Sequence, residues 1–156
     1  MTPQVHHRRI ARIDNRIDDA VTHVFAIMLR QPCAPVDEAP TAAPGISATI
    51  LISGALQGRC VVHLSTAAAA RFATLLLGTD ANWAQPVIDD AVRELCNMIA
   101  GGWKSRLGPL ASACQISVPA ISHTIPPTQP DDPSVICRHY AFAGSLLEVT
   151  LTLLIR

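Results

Sequence analysis

Residues 88–100, IDDAVRELCNMIA, echo residues 17–29, IDDAVTHVFAIML, at an offset of 71. The five shared residues fall at the same helical phase, and Met28 and Met98 align with a slip of one residue. In both segments apolar side chains recur at three- and four-residue spacing: Ile10, Ile13, Ile17, Val21, Val24 and Met28 in the first, Ile88, Val92, Leu95, Ile99 and Trp103 in the second. That is the pattern of a helix buried along one side. The predicted helices span 8–30 and 86–107. Each is followed by β-rich sequence, so the simplest architecture is a pseudo-two-fold duplication of a helix-plus-strands unit. The alternative is two amphipathic helices that share five residues by chance.

Working outward, QPCAPVDEAPTAAPG (31–45) contains four prolines and cannot continue the first helix, so it reads as a connector with room for a short edge strand. Residues 46–65 hold two β-rich runs broken at GALQG, which predicts an antiparallel hairpin. STAAAARFATLLLG (65–78) opens on a Ser/Thr cap signal and closes on Gly78, a short helix. The 86–107 helix carries Asp89 and Asp90 in its expected first turn, Lys104 and Arg106 in its last, and Gly108-Pro109 as a stop. A strand at 114–122, a proline-rich loop at 123–133 and a final hairpin turning at Ala143-Gly144 complete the chain. This order predicts one α+β domain over 1–156, with a largely antiparallel sheet packed by helices.

The composition narrows the function. Of 156 residues, 49% are hydrophobic and 15% charged, enough for a substantial single core. The formal net charge is zero, which argues against nucleic acid and anionic membrane surfaces as partners. HHRR at 6–9, the most basic spot, reads as a solvated lead-in. Neither a signal-peptide pattern nor an apolar run of roughly 18 residues is present, so a cytoplasmic protein is expected. Five widely spaced cysteines favour reduced thiols over disulfides. No CxxC or Cys/His cluster argues for zinc, and His23, His63, His123 and His139 are scattered. Neither a Gly-rich phosphate loop nor a Ser/His/Asp order is present.

The side of the second helix that should be plain surface carries Asp90, Glu94, Asn97 and Gly101. Asn is a poor helix former, and a helical glycine costs about 1 kcal/mol relative to alanine. Close packing on the core side accounts for Gly102 but not for Gly101. A glycine on a polar face makes sense where another molecule must come close; local tolerance near a helix end is the plainer alternative. Glu94 by itself reads as a solvated surface charge. Cys96 beside Asn97 admits a thiol enzyme, but no base is placed to activate it.

The motif D-x3-E-x2-N-M-I-x-G at 90–101, with the strand ISVPAIS carrying Pro119 downstream, resembles the CheC/CheX family of chemotaxis phosphatases. Within that resemblance Glu94 aligns with His23 and Asn97 with Ala26, so the first copy is degenerate, as in CheX-like members with a single active motif. The resemblance implies hydrolysis of the aspartyl phosphate on a phosphorylated CheY-type receiver domain. Asn97 would orient the attacking water, Glu94 would pair with the receiver's active-site lysine, and Asp90 and Gly101 would belong to the docking surface. It implies no cofactor or metal in this chain, Mg2+ being carried by the receiver, and a homodimer. A CheX-like module that binds signalling proteins without catalysis is the alternative.

Overall fold

The computed structural model describes residues 16–37, 44–79, 82–124 and 134–154. The HHRR stretch, most of the 123–133 loop and the middle of the 31–45 connector lie outside them. Helix α1 covers 16–24 and passes into a π-helical turn, Phe25–Leu29. Then come β1 (Ala34–Val36), β2 (Gly45–Gly54), β3 (Gln57–Ser65), α2 (Thr66–Leu77) and α3 (Gln85–Ser105). A 3-10 turn at Gly108–Ala113 leads to β4 (Cys114–Ile116), β5 (Ala120–Ser122), β6 (Val135–Phe142) and β7 (Ser145–Leu154).

The seven strands form one sheet in the order β1-β6-β7-β3-β2-β4, with β5 also on β2, and every pairing is antiparallel. Read from its other end, the order exchanges β1 with β4, β6 with β2 and β7 with β3. An approximate two-fold axis between β3 and β7 therefore relates helix, edge strand and hairpin of the first half to those of the second. Each half lends its short edge strand to the other's hairpin. The expected pseudo-two-fold arrangement is thus visible in the topology; among the described elements α2 and β5 have no counterpart.

The helices cover one face of the sheet. Phe25, Phe72 of α2 and Phe142 of β6 meet there with ring centroids 5.0–6.5 Å apart. Alternate strand residues such as Ile50, Val62, Leu147, Val149 and Leu151 point into this layer. Burying each such side chain fully contributes about 1.5–3 kcal/mol. Ser65 caps α2 by accepting from the Ala68 amide at 3.1 Å, and Gly78 closes it with φ 74°. Ala143 and Gly144, with φ 46° and 78°, make the tight turn between β6 and β7. Among the described residues no helix is long and apolar enough to cross a membrane.

Three expectations need correction. The first helix does not keep one phase to its end: the π turn adds a residue, so Leu29 is buried while Met28 is half-buried. The same extra residue accounts for the slip between Met28 and Met98, both half-buried. Helix α3 begins at Gln85, because a proline is readily accommodated in a first turn; Asp89 and Asp90 therefore lie in the second turn, with no acidic residue in the first. The single strand at 114–122 is two strands. Ser117, Val118 and Pro119 stand opposite Ile50 and Leu51, an extra residue that makes a bulge. There the Ser117 hydroxyl accepts from the Leu51 amide at 2.8 Å.

Candidate functional site on α3

Helix α3 is anchored along its inner side by Ile88, Ala91, Val92, Leu95, Cys96, Ile99, Ala100 and Trp103, all buried. The Cys96 thiol donates to the Ala48 carbonyl of β2 at 3.4 Å. A buried neighbour, Cys60, has its thiol pKa pushed up by the hydrogen bond with Cys96 and by burial. The pair is structural and offers no surface nucleophile. At the helix end, Ser105 Oγ and Arg106 Nη1 each donate to the Gly102 carbonyl at 2.8 Å, satisfying a terminal acceptor.

Asp89 fixes the other end. Its carboxylate accepts from Gln85 Nε2 at 2.9 Å and pairs with His123 Nε2, just past β5, at 2.8 Å. Burial alone would raise its pKa; the hydrogen bonds from Gln85 and His123, with the charges of His123 and Arg93, outweigh it and lower the value. The counterpart in the first copy, Asp18, was not singled out from sequence. It accepts from Arg138 Nε at 3.0 Å and Nη2 at 2.6 Å and from the Tyr140 hydroxyl at 2.6 Å, tying α1 to β6. Its signal was the aspartate shared by both IDDAV segments.

On the outer side Asp90, Glu94, Asn97 and Gly101 form a line roughly 16 Å long. Asp90 is 76% exposed and pairs with Arg93 at 2.6 Å, an exposed i,i+3 contact worth at most about 1 kcal/mol. Glu94 and Asn97 are exposed, and neither side chain hydrogen-bonds to another described residue. One turn apart on a buried, rigid helix, their side chains lie about 5–6 Å from each other at Cβ. A carboxylate and an amide so placed can hold a cation and a water for a molecule that arrives from outside.

The two glycines differ as expected. A Cβ at Gly102 would stand 3.3 Å from Arg106 Nη1 and 3.5 Å from the Ala20 Cβ of α1. At Gly101 it would meet nothing within 4 Å. Gly101 instead floors an open groove of about 590 Å3 between α1 and α3, with His23 and Ile27 on one wall and Met98 and Ser105 on the other. Nothing inside the described chain requires a glycine there. The outer face of α1 presents His23, Ala26 and Ile27, all exposed, so it lacks the acid-amide pair.

The other described histidines have settings of their own. His63 is buried with Nδ1 2.7 Å from Ser47 Oγ, and His139 Nε2 lies 3.0 Å from Glu148 Oε2.

The family model described as chemotaxis phosphatase CheX matches residues 46–129, more than half of the chain and all of α3. Among solved structures, the chemotaxis protein CheX from Vibrio vulnificus superposes with a TM-score of 0.76 at 19% identity, covering 93% of this chain and 98% of that one. CheX from Desulfovibrio desulfuricans gives 0.76 at 22% identity, covering 92% and 99%. The CheX of a Borrelia burgdorferi complex of CheX, CheY, BeF3 and Mg2+ gives 0.66 at 18% identity, covering 89% and 96%. At these identities the structures establish a shared fold. No curated protein matches the chain significantly.

Proposed function

The chain belongs to the CheX family of chemotaxis phosphatases, and from that premise we propose that it hydrolyses the aspartyl phosphate of a CheY-type receiver domain. The observation that carries the reading is the outer line of α3: Glu94 and Asn97 exposed and without partners among the described residues, beside a glycine that internal packing does not demand. The Borrelia burgdorferi complex with CheY supports a CheY-directed role for this fold.

Asn97 places the attacking water in line with the phosphorus, its amide accepting from the water at one end and donating at the other. Glu94 pairs with the receiver's active-site lysine and fixes the angle of approach, and Asp90 and Gly101 flank that contact. A loose phosphoryl-transfer transition state needs position and charge stabilisation more than a strong base, so an amide suffices. The Mg2+ that neutralises the phosphoryl oxygens is supplied by the receiver. The protein acts in the cytoplasm as a homodimer.

The test is the rate of phosphate loss from a phosphorylated CheY-type receiver, with wild-type protein and with Asn97→Ala at matched concentration. Acceleration by wild type and none by the variant is the expected result. Binding to the phosphorylated receiver with no acceleration by wild type would overturn hydrolysis and leave a docking module.

A further inference from the structure

The sheet face away from the helices is polar where β6 and β7 pair. Cys137 and His139 alternate to that face from β6, and the register sets Glu148 opposite His139 and Thr150 opposite Cys137. His139 Nε2 lies 3.0 Å from Glu148 Oε2 and 4.0 Å from Cys137 Sγ, and the three ligand atoms all fall within 4.8 Å of one another. We propose that Cys137, His139 and Glu148 form a binding site for a divalent transition-metal ion of the zinc class, separate from the α3 surface.

The geometry favours a metal over a nucleophile relay. In a Cys-His-acid relay the thiol and the acid use opposite ring nitrogens. Here both contact the same one, so sulfur, nitrogen and oxygen converge on a single point. A tetrahedral zinc ion with ordinary bond lengths needs S···N and N···O separations of about 3.5 Å and about 3.4 Å. The observed 4.0 Å and 3.0 Å each lie within about 0.5 Å of those values. One thiolate, one imidazole and one carboxylate make a set that suits zinc and cobalt and poorly suits magnesium or calcium.

The supports are in place as well. All three residues stand on a hairpin closed by the Ala143-Gly144 turn, so the donors are held by backbone pairing rather than by a loop. Thr150, itself buried, donates its hydroxyl to Cys137 Sγ at 3.6 Å and orients the sulfur. Cys137 is exposed, which leaves an entry path and a fourth position for water. On binding, the Cys137 thiol gives its proton to solvent as the metal–sulfur bond forms. No electron is transferred, and affinity rises with pH.

The experiment is a titration of the purified chain with Co2+, read by absorption, with Zn2+ as competitor. The expected result is one equivalent of Co2+ per chain, a thiolate-to-cobalt charge-transfer band, and bleaching by Zn2+. Cys137→Ser removes the band, and His139→Gln weakens binding by about a hundredfold or more, since even an outer-shell change costs 10–100-fold. Circular dichroism confirms that the variants fold. Absence of the band in wild type, or its persistence in folded Cys137→Ser, overturns the proposal. Receiver dephosphorylation is unaffected by Cys137→Ser, so this site and the α3 reading stand or fall separately.

Discussion

If a receiver docks on α3 as proposed, substitutions at Gly101 should raise stability while lowering dephosphorylation. In a helix interior, replacing glycine by alanine gains about 0.4–1 kcal/mol, mostly by restricting the unfolded chain. The gain is kept only where the new Cβ fits, and at Gly101 it meets nothing within 4 Å. Gly101→Ala should therefore raise the melting temperature by about 1–4 °C, given a sensitivity of about 2–4 °C per kcal/mol for a chain of this size. Gly102→Ala should gain less, because its methyl would press on Arg106 Nη1 at 3.3 Å and touch Ala20 at 3.5 Å. Gly101→Gln keeps most of the helical gain but extends a long side chain into the groove beside Asn97. Receiver dephosphorylation should fall modestly in Gly101→Ala and at least about tenfold in Gly101→Gln, about 1.4 kcal/mol of lost transition-state stabilisation. Thermal unfolding and the dephosphorylation rate are measured on the same preparations. If both variants are stabilised and fully active, no partner comes close at Gly101 and the reasoning fails. If Gly101→Ala is destabilised, the open space itself is wrong.

Glu94→Ala should chiefly weaken binding to the phosphorylated receiver, whereas Asn97→Ala should chiefly lower turnover within the complex; equal losses of binding by calorimetry would count against the division of roles. Asp18→Ala leaves the buried Tyr140 hydroxyl without its acceptor and removes the carboxylate from Arg138, which remains partly exposed to water. We expect a loss of about 2–3 kcal/mol, visible as a drop of about 4–12 °C in melting temperature, with little effect on dephosphorylation at low temperature. In the native state a thiol reagent should label Cys137 and spare the buried Cys33, Cys60, Cys96 and Cys114. Fast labelling that survives Cys137→Ser would show that a buried thiol is more accessible than its packing allows.

What could be read from the sequence was whatever depends on spacing within one element. Helical phase separated the buried stripe of α3 from the Glu94–Asn97 line, and Ser65 with Gly78 marked both ends of α2. Features that depend on how distant segments meet could not be read this way. The bulge at Ser117–Pro119 arises only from the pairing with β2, and the gathering of Cys137, His139 and Glu148 requires the β6–β7 register. Asp18 and Asp89 are an intermediate case. Their positions repeat in sequence, but only the structure shows that both turn inward as anchors, Asp18 to β6 and Asp89 to His123, while Asp19 and Asp90 turn outward. Four of the five shared positions are thus explained by anchoring: besides the Asp18/Asp89 pair, Ile17 and Ile88, Ala20 and Ala91, and Val21 and Val92 are all buried. The outward positions that follow carry no such constraint. There the first copy holds His23 and Ala26 and the second Glu94 and Asn97, so a common scaffold, fixed on its inner side, presents an exposed acid-amide pair on one copy alone.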